Sequence, residues 1–161
     1  NLENYAVEAL ADGFRLVPAA GGLSTTAGEF GALTIDYRVA GETGIQIEGT
    51  MLSFGAMATG EGALATTHQD YFDDASEELD VADVMVTGGG GSITSDAFML
   101  PEVMDSLEVD ATFMVNVPLD ASDASIAWVD QEFVTVPEPG STLLALTALL
   151  SLGALNRIRR S

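Results

Sequence analysis

The sequence predicts an all-β fold, an antiparallel β-sandwich or jelly-roll-like domain, followed by one C-terminal transmembrane helix. Three observations support this prediction. Apolar and polar residues alternate along several short segments, turn-forming residues separate these segments, and one uncharged apolar segment lies near the end of the chain. With 161 residues, the chain has room for one ordinary domain and an appendage. We expect residues 1–136 to form an acidic β-rich domain and residues 137–161 to form a separate tail.

Two segments show the clearest strand pattern. Residues 107–117 and 33–40 carry apolar side chains at odd positions and mainly polar ones at even positions, as a strand with one buried face does. Strands at such close spacing favour an antiparallel sandwich, in which each strand has a core face and a wet face. Shorter segments bounded by Gly, Asp or Pro bring the expected total to seven to nine strands. These shorter segments are 14–17, 45–48, 51–54, 63–67, 81–87, 93–99 and 126–135.

Four consecutive glycines, Gly88 to Gly91, separate two of the predicted strands. A phosphate-binding loop would need a following lysine, a serine or threonine beside it, and a helix pattern. Neither a lysine with a serine or threonine beside it nor a helix pattern follows Gly91. We therefore expect a flexible hairpin at this position.

The composition excludes several kinds of site. The chain has no cysteine, so disulfides, thiolate catalysis and cysteine-ligated metals are excluded. Residues 1–136 contain 24 of the 25 acidic residues and two of the five arginines, which leaves 22 net negative charges. Phosphate backbones would be repelled, so we expect no nucleic-acid partner. A solvated, soluble surface explains this acidity, and a salty habitat or bound divalent cations are the alternatives.

Catalysis is not expected. The only histidine, His68, lies in the sequence THQDYFDD, which contains neither a nucleophile elbow nor a recognisable partner motif. We therefore expect a surface or edge histidine. Pairs of carboxylates occur by chance in so acidic a chain, so they do not indicate a glycosidase.

The densest acidic stretch is the best candidate for a cofactor, because clustered oxygen ligands suit Ca²⁺. It lacks the spacing of an EF-hand and its glycine at the sixth position, and runs of charge are usually solvated. We expect no cofactor, with calcium as the alternative at four residues: Asp73, Asp74, Glu77 and Asp80.

Two aromatic residues, Trp128 and Tyr71, could stack on sugar rings. A single tryptophan within a strand is more typical of a core, and we expect Trp128 there. A carbohydrate-binding module therefore stands as a minor alternative.

The tail contains an uncharged apolar segment, residues 140–155. As a helix these 16 residues span about 24 Å, against a bilayer core of about 30 Å, so the span is short. Apolar or small residues lie all around the helix, which leaves no face for water. The expected membrane-facing residues include Gly140, Leu143, Leu146, Leu150 and Leu155. Three arginines follow this segment: Arg157, Arg159 and Arg160. Their side chains would reach the lipid headgroups and would remain on the cytoplasmic side of the membrane.

The tripeptide Pro137-Glu138-Pro139 forms an extended joint before this segment, because each proline disfavours helix in the residue before it. The tripeptide, the leucine-rich segment and the terminal arginines, in that order, resemble the PEP-CTERM sorting signal of exosortase substrates. The resemblance implies export, temporary anchoring in the inner membrane by the tail, and recognition of Pro137, Glu138 and Pro139 by a membrane-embedded exosortase that cleaves nearby. The acidic domain would then lie on the periplasmic or extracellular side, and at the cell surface or in the matrix after processing.

These observations lead to a first hypothesis and an alternative. The first is an exported, membrane-tethered, non-catalytic surface or extracellular-matrix protein, with an extracellular polymer as a possible partner. The alternative is a membrane-retained accessory subunit of a larger complex, because Ser141, Ala145 and Ala148 offer a small-residue face for close helix packing.

Overall fold

A computed structural model describes residues 5–18 and 23–137. Within these residues the chain forms eleven strands in two antiparallel sheets. The strands are β1 (Tyr5–Leu10), β2 (Gly13–Pro18), β3 (Ser24–Thr26), β4 (Phe30–Ala40), β5 (Ile45–Thr59), β6 (Leu64–Phe72), β7 (Glu78–Thr87), β8 (Ser92–Ile93), β9 (Ser95–Met104), β10 (Ser106–Asn116) and β11 (Asp123–Pro137).

The two sheets have simple strand orders. Sheet A runs β1-β2-β11-β5-β9, and β3 pairs with β11 beyond the part of β11 that pairs with β2. Sheet B runs β4-β10-β6-β7-β8. The longest pairing joins β11 to β5, with register shifts between Ile126 and Trp128 and between Val134 and Thr135. One side of each sheet faces the other sheet, so the apolar residues of alternate positions form a shared core.

The predicted all-β class is confirmed, with details corrected. The two segments 45–48 and 51–54 belong to one continuous strand, β5, so their prediction as separate strands was wrong. The single strand predicted over 93–99 was also wrong, because these residues are divided between β8 in sheet B and β9 in sheet A. The structure adds β1 and β3, and it exceeds the expected seven to nine strands. The glycine run forms the expected hairpin, because β7 pairs with β8 across it.

No helix in residues 5–18 and 23–137 is both long and apolar enough to cross a membrane. The predicted helix over 140–155 lies outside the described residues.

The sandwich is closed along one edge. There the chain passes from sheet B to sheet A between β8 and β9, and the Thr94 carbonyl accepts a hydrogen bond from Phe54 N at 3.1 Å. A second hydrogen bond joins the two sheets, because the side chain of Asp96 on β9 accepts from the backbone N of Asp83 on β7 at 3.0 Å. Side chains near this edge, such as Val84 and Leu52, are fully buried. The two sheets are therefore held together on this side.

The opposite edge of the sandwich is open. There β4 lies at the edge of sheet B, and its core-facing side chains at odd positions remain only half-buried. On β10, the next strand inwards, the corresponding side chains are buried. Sheet A therefore does not cover the whole inner face of sheet B, and a cleft remains between β2 and β4.

Candidate functional site

The open edge forms a cleft of about 590 Å³ between the two sheets. Its size lies within the range of about 300 to 1,000 Å³ that is usual for small-molecule sites. Apolar side chains supply most of its lining, and they come from both sheets: Val7, Phe14, Leu16, Ile35, Val39, Phe113 and Val129. A second concavity adjoins it and shares Phe14 and Val39. The cleft is thus an apolar opening that leads from the edge of the sandwich towards its core.

A buried polar cluster lies at the inner end of this cleft, and Gln69 and Gln131 belong to both. The hydroxyl of Tyr71 donates to Gln69 Oε1 at 2.7 Å, and Gln131 Oε1 lies 3.1 Å from the same hydroxyl oxygen. Thr50 donates to the Tyr71 oxygen at 3.1 Å, and Gln131 Nε2 donates to Thr50 Oγ1 at 2.9 Å. Four buried polar residues from both sheets therefore bond mainly to one another.

Tyr71 cannot serve as a sugar-stacking platform, because its exposed fraction is 0%. Its place in the core corrects that part of the carbohydrate-binding alternative. Burial raises the pKa of Tyr71 to about 12, although hydrogen bonds from Thr50 and to Gln131 act to lower it. The phenol therefore stays protonated and acts as a neutral hydrogen-bond donor.

A second tyrosine, Tyr37, lines the cleft itself, and its hydrogen bonding differs from that of Tyr71. Its ring is half-buried and meets Phe14 edge-on, with ring centroids 5.3 Å apart. Its hydroxyl oxygen is buried and has no hydrogen-bond partner within the described part of the chain. Burial raises the pKa of Tyr37 well above its ordinary value, and the neighbouring Tyr71 adds to the rise. The cleft thus contains a protonated donor without an acceptor.

The outer face of sheet A carries an ion pair beside the tryptophan. Arg15 donates two hydrogen bonds to Asp130, from Nε at 2.6 Å and from Nη2 at 2.7 Å, and this raises the pKa of Arg15. Its guanidinium carbon lies 4.9 Å from the ring centroid of Trp128. Gly55 lies so close to the indole that a Cβ there would overlap it. Trp128 is half-buried on the outer face, so its prediction as a core residue was wrong.

The outer face of sheet B contains the only histidine. His68 lies on β6, in the interior of the sheet, and its side chain is partly exposed. Its Nδ1 lies 2.7 Å from Asp83 Oδ1 and its Nε2 lies 3.0 Å from Asp70 Oδ1. The prediction of a surface histidine is confirmed, although the strand is not an edge strand.

The stability of this histidine cluster is expected to depend on pH. The hydrogen bond to Asp83 raises the pKa of His68, and the charges of Asp70 and Asp83 add to the rise, while partial burial opposes it. The folded state therefore holds the proton more tightly than the unfolded state, whose pKa is about 6.5. This stabilisation is fully present below about pH 6.5 and is lost as the pH rises through the higher folded value.

Urea unfolding of the wild type and of His68→Gln would check this prediction. We expect the stability difference between the two proteins to be largest near pH 6 and to shrink towards about pH 9. When the same comparison is made in the Asp83→Asn background, the stability difference near pH 6 should be smaller. A difference that stays constant over this range would contradict the prediction.

The calcium candidates do not converge on one point. Asp73 Oδ1 accepts hydrogen bonds from the backbone N of Ala75 and of Glu77, both at 2.8 Å, and so holds a tight turn. Asp74 binds Arg38 and the hydroxyl of Ser106, both at 2.7 Å.

The fourth candidate, Asp80, accepts from the backbone N of the next residue, Val81, at 2.8 Å. In residues 5–18 and 23–137 no group of three or more acidic or histidine side chains is placed to hold a metal ion.

Of the predicted sorting residues, Pro137 is the last residue of β11. Glu138, Pro139, the apolar segment 140–155 and the arginines of the tail lie outside the described residues.

Comparisons with known proteins give weak likenesses. No protein-family model matches the chain, and no curated protein matches it. Among solved structures, the carbohydrate-binding module TmCBM61 in complex with β-1,4-galactotriose is 12% identical with a TM-score of 0.40, and the match covers 84% of this chain and 83% of that one.

Two further matches are with parts of larger chains. The glycosylation-associated protein complex Gap123 of Streptococcus agalactiae is 11% identical with a TM-score of 0.36, and the match covers 83% of this chain and 40% of that one. The enzymatically active domain of tailspike protein 4 of bacteriophage CBA120 is 12% identical with a TM-score of 0.40, and the match covers 83% of this chain and 20% of that one. With TM-scores below 0.5, these likenesses assign no ligand or activity to this chain.

The polar residues of the cleft were missed in the sequence. A signal for Gln69 exists, because it continues the inward positions Ala65 and Thr67 of β6, and the predicted strand stopped at residue 67. Gln131 has a weaker signal, because a bulge before Trp128 changes which positions of β11 face inwards.

Proposed function

We propose that this chain is an exported, membrane-tethered, non-catalytic surface or extracellular-matrix protein that is sorted through a PEP-CTERM tail. The observation that carries the proposal is the order of three features at residues 137–161, namely the Pro-Glu-Pro tripeptide, the uncharged apolar segment and the arginine cluster. Each feature has its own physical role, as an extended joint, a membrane span and a cytoplasmic anchor.

The position of the joint supports this proposal. Pro137 ends β11, an interior strand of sheet A that spans about 50 Å from end to end. All eleven strands of residues 5–18 and 23–137 precede the apolar segment, and these residues form a buried core between their two sheets. A domain of this kind can lie outside the membrane while the tail holds it there.

The direction of β11 indicates which end of the sandwich would face away from the membrane. Its first residue, Asp123, lies at the end of the sandwich opposite to Pro137, where Ser122 N donates to the carbonyl of Thr59 at 2.9 Å. Two large apolar side chains are exposed at this far end, Leu119 at 87% and Phe30 at 62%. In a tethered protein this end would point away from the membrane and meet other molecules first.

The surroundings of His68 favour a non-catalytic role. Each of its ring nitrogens contacts an aspartate, Asp83 on one side and Asp70 on the other. A hydrolytic triad instead needs one ring nitrogen on a nucleophilic hydroxyl.

Expression of the full chain with and without an exosortase tests the proposal. We expect the exosortase to lower the intact mass by roughly that of the tail and to move the domain from the inner membrane to the surface or medium. Glu138→Gln should block this processing, whereas Glu132→Gln, a matched change six residues earlier on β11, should not. An unchanged mass and residence in the cytoplasm would defeat the proposal.

A carbohydrate-binding role is the second candidate. It rests on the partly exposed Trp128 on the outer face of sheet A, because indole rings stack on sugars. A glycan array with the wild type and Trp128→Ala would test it, and the absence of any bound glycan would remove it.

A further inference from the structure

We propose that the open cleft between β2 and β4 binds an uncharged ligand with an apolar body and one hydrogen-bond acceptor. This inference goes beyond the proposed function, because it concerns the described domain and does not depend on the tail. Three properties of the cleft carry it: its shape, its single unpaired donor and its charge.

The shape of the cleft leaves room for a ligand body. The core-facing side chains of β4 are only half-buried, among them Leu33, Ile35 and Val39, although they continue the apolar core. Water that contacts such side chains is released when an apolar ligand covers them, which favours binding. The volume of about 590 Å³ suits a ligand of one to three rings.

The polarity of the cleft selects an acceptor on the ligand. The cluster of Tyr71, Thr50 and Gln131 uses its hydrogen bonds internally. Within the described residues two buried hydroxyl oxygens have no partner, those of Tyr37 and Thr67, and of these two residues only Tyr37 lines the cleft. A buried donor without an acceptor is costly, and a ligand carbonyl or hydroxyl oxygen would remove that cost. Tyr37 is itself one of the residues that line the cleft, so a ligand that fills the cleft lies against this side chain.

The charge of the protein excludes acidic ligands from this site. Residues 1–136 carry 24 acidic residues and two arginines, and the second arginine, Arg38, pairs with Asp74 at 2.7 Å. Asp36 and Arg38 both line the cleft, so these two charges balance there and the net negative charge of the domain dominates. An anion would therefore meet a repulsive potential. A sugar is disfavoured for another reason, since its many hydroxyls would lose water against apolar walls.

Benzophenone is a suitable probe, because it is uncharged, has two apolar rings and one carbonyl acceptor, and forms covalent adducts with nearby C–H groups under light. The full chain in mild detergent would be irradiated with it, and the adducts would be mapped by mass spectrometry. We expect adducts in residues 33–39 of β4 and on the facing strand β2. The anionic relative 4-benzoylbenzoate should label these strands far less.

Matched variants locate the site and identify the donor. Ile35→Trp fills the cleft and should abolish the adducts on β4, whereas Ile93→Trp, the same change at an exposed position of β8, should leave them unchanged. Tyr37→Phe removes the donor and should weaken benzophenone binding about fivefold to tenfold. Diphenylmethane, which has the same rings without the carbonyl, should compete equally well in the wild type and in Tyr37→Phe.

Several results would overturn the proposal. Adducts on β4 that persist in Ile35→Trp would show that the probe does not occupy the cleft. Equal binding of benzophenone to the wild type and to Tyr37→Phe would show that Tyr37 donates no hydrogen bond to the ligand carbonyl. This comparison does not depend on whether Ile35→Trp folds. A dimer of the wild type that dissociates in Ile35→Trp would show that a second copy of the chain fills the cleft instead.

Discussion

Gly88→Ala is expected to lower the free energy of unfolding by about 3 kcal/mol. A Cβ at residue 88 would overlap the backbone carbonyl of Gly60, because the two chain segments lie directly against each other at the end of the sandwich. The hydrogen bond from Gly88 N to the carbonyl of Ala63, at 2.9 Å, holds the segment in that position. Because the obstacle is backbone, no side-chain rotation can relieve the overlap. Urea unfolding of the full chain would measure the loss.

The neighbouring glycine provides the matched control. A Cβ at Gly89 would meet nothing within 4 Å, so Gly89→Ala should be neutral or raise the stability by up to about 0.5 kcal/mol. If the two alanine variants proved equally stable, the close approach of Gly88 and Gly60 would be refuted.

Two tyrosine-to-phenylalanine changes are expected to act in opposite directions. Tyr71→Phe should lower the free energy of unfolding by about 2 to 3 kcal/mol, because it leaves buried polar atoms of Thr50, Gln69 and Gln131 without their shared partner. Tyr37→Phe should raise it by about 1 kcal/mol, because the hydroxyl that it removes is buried and unpaired. Each change removes one buried hydroxyl oxygen and leaves the aromatic ring in place.

Chemical unfolding of both variants against the wild type checks the pair, without any probe ligand present. A stabilised Tyr37→Phe combined with weaker benzophenone binding would show that this hydroxyl is kept at a cost to stability. A destabilised Tyr37→Phe would mean that its hydroxyl has an acceptor in the folded protein, and the argument for an unpaired donor would then fail.

The sequence was most informative where one face of a strand is wet. In β10 and β4, the predicted alternation over 107–117 and 33–40 agrees with the observed burial, because both strands have a solvent-exposed face on sheet B. The hydrophobicity of such strands alternates with a period of two residues. This alternation can be read from the sequence without knowing which strands lie next to each other.

Irregular backbone explains why Trp128 was assigned to the wrong face. Ile126 faces the core, so regular alternation would also turn Trp128 towards the core. The bulge between Ile126 and Trp128 shifts the pattern by one residue, and Val129 and Gln131 face the core instead. A single inserted residue of this kind has no reliable signature in the sequence.

The cleft could not have been predicted, because it depends on how two sheets meet. An apolar residue such as Ile35 looks the same in the sequence whether the facing sheet covers it or leaves it half-open. The glycine run has the same limitation. Gly88 and Gly89 are indistinguishable in the sequence, although only one of them lies against the backbone of another segment.

The position of Pro137 at the end of β11 has a mechanical consequence. β11 is bonded to β5 along most of its length on one side, and to β2 and β3 on the other. The hydrogen bonds of antiparallel strands lie across the strand direction. A pull on Pro137 along β11 would therefore load these bonds together in shear, instead of opening them one at a time. An attachment at this residue would give the domain high resistance to drag forces.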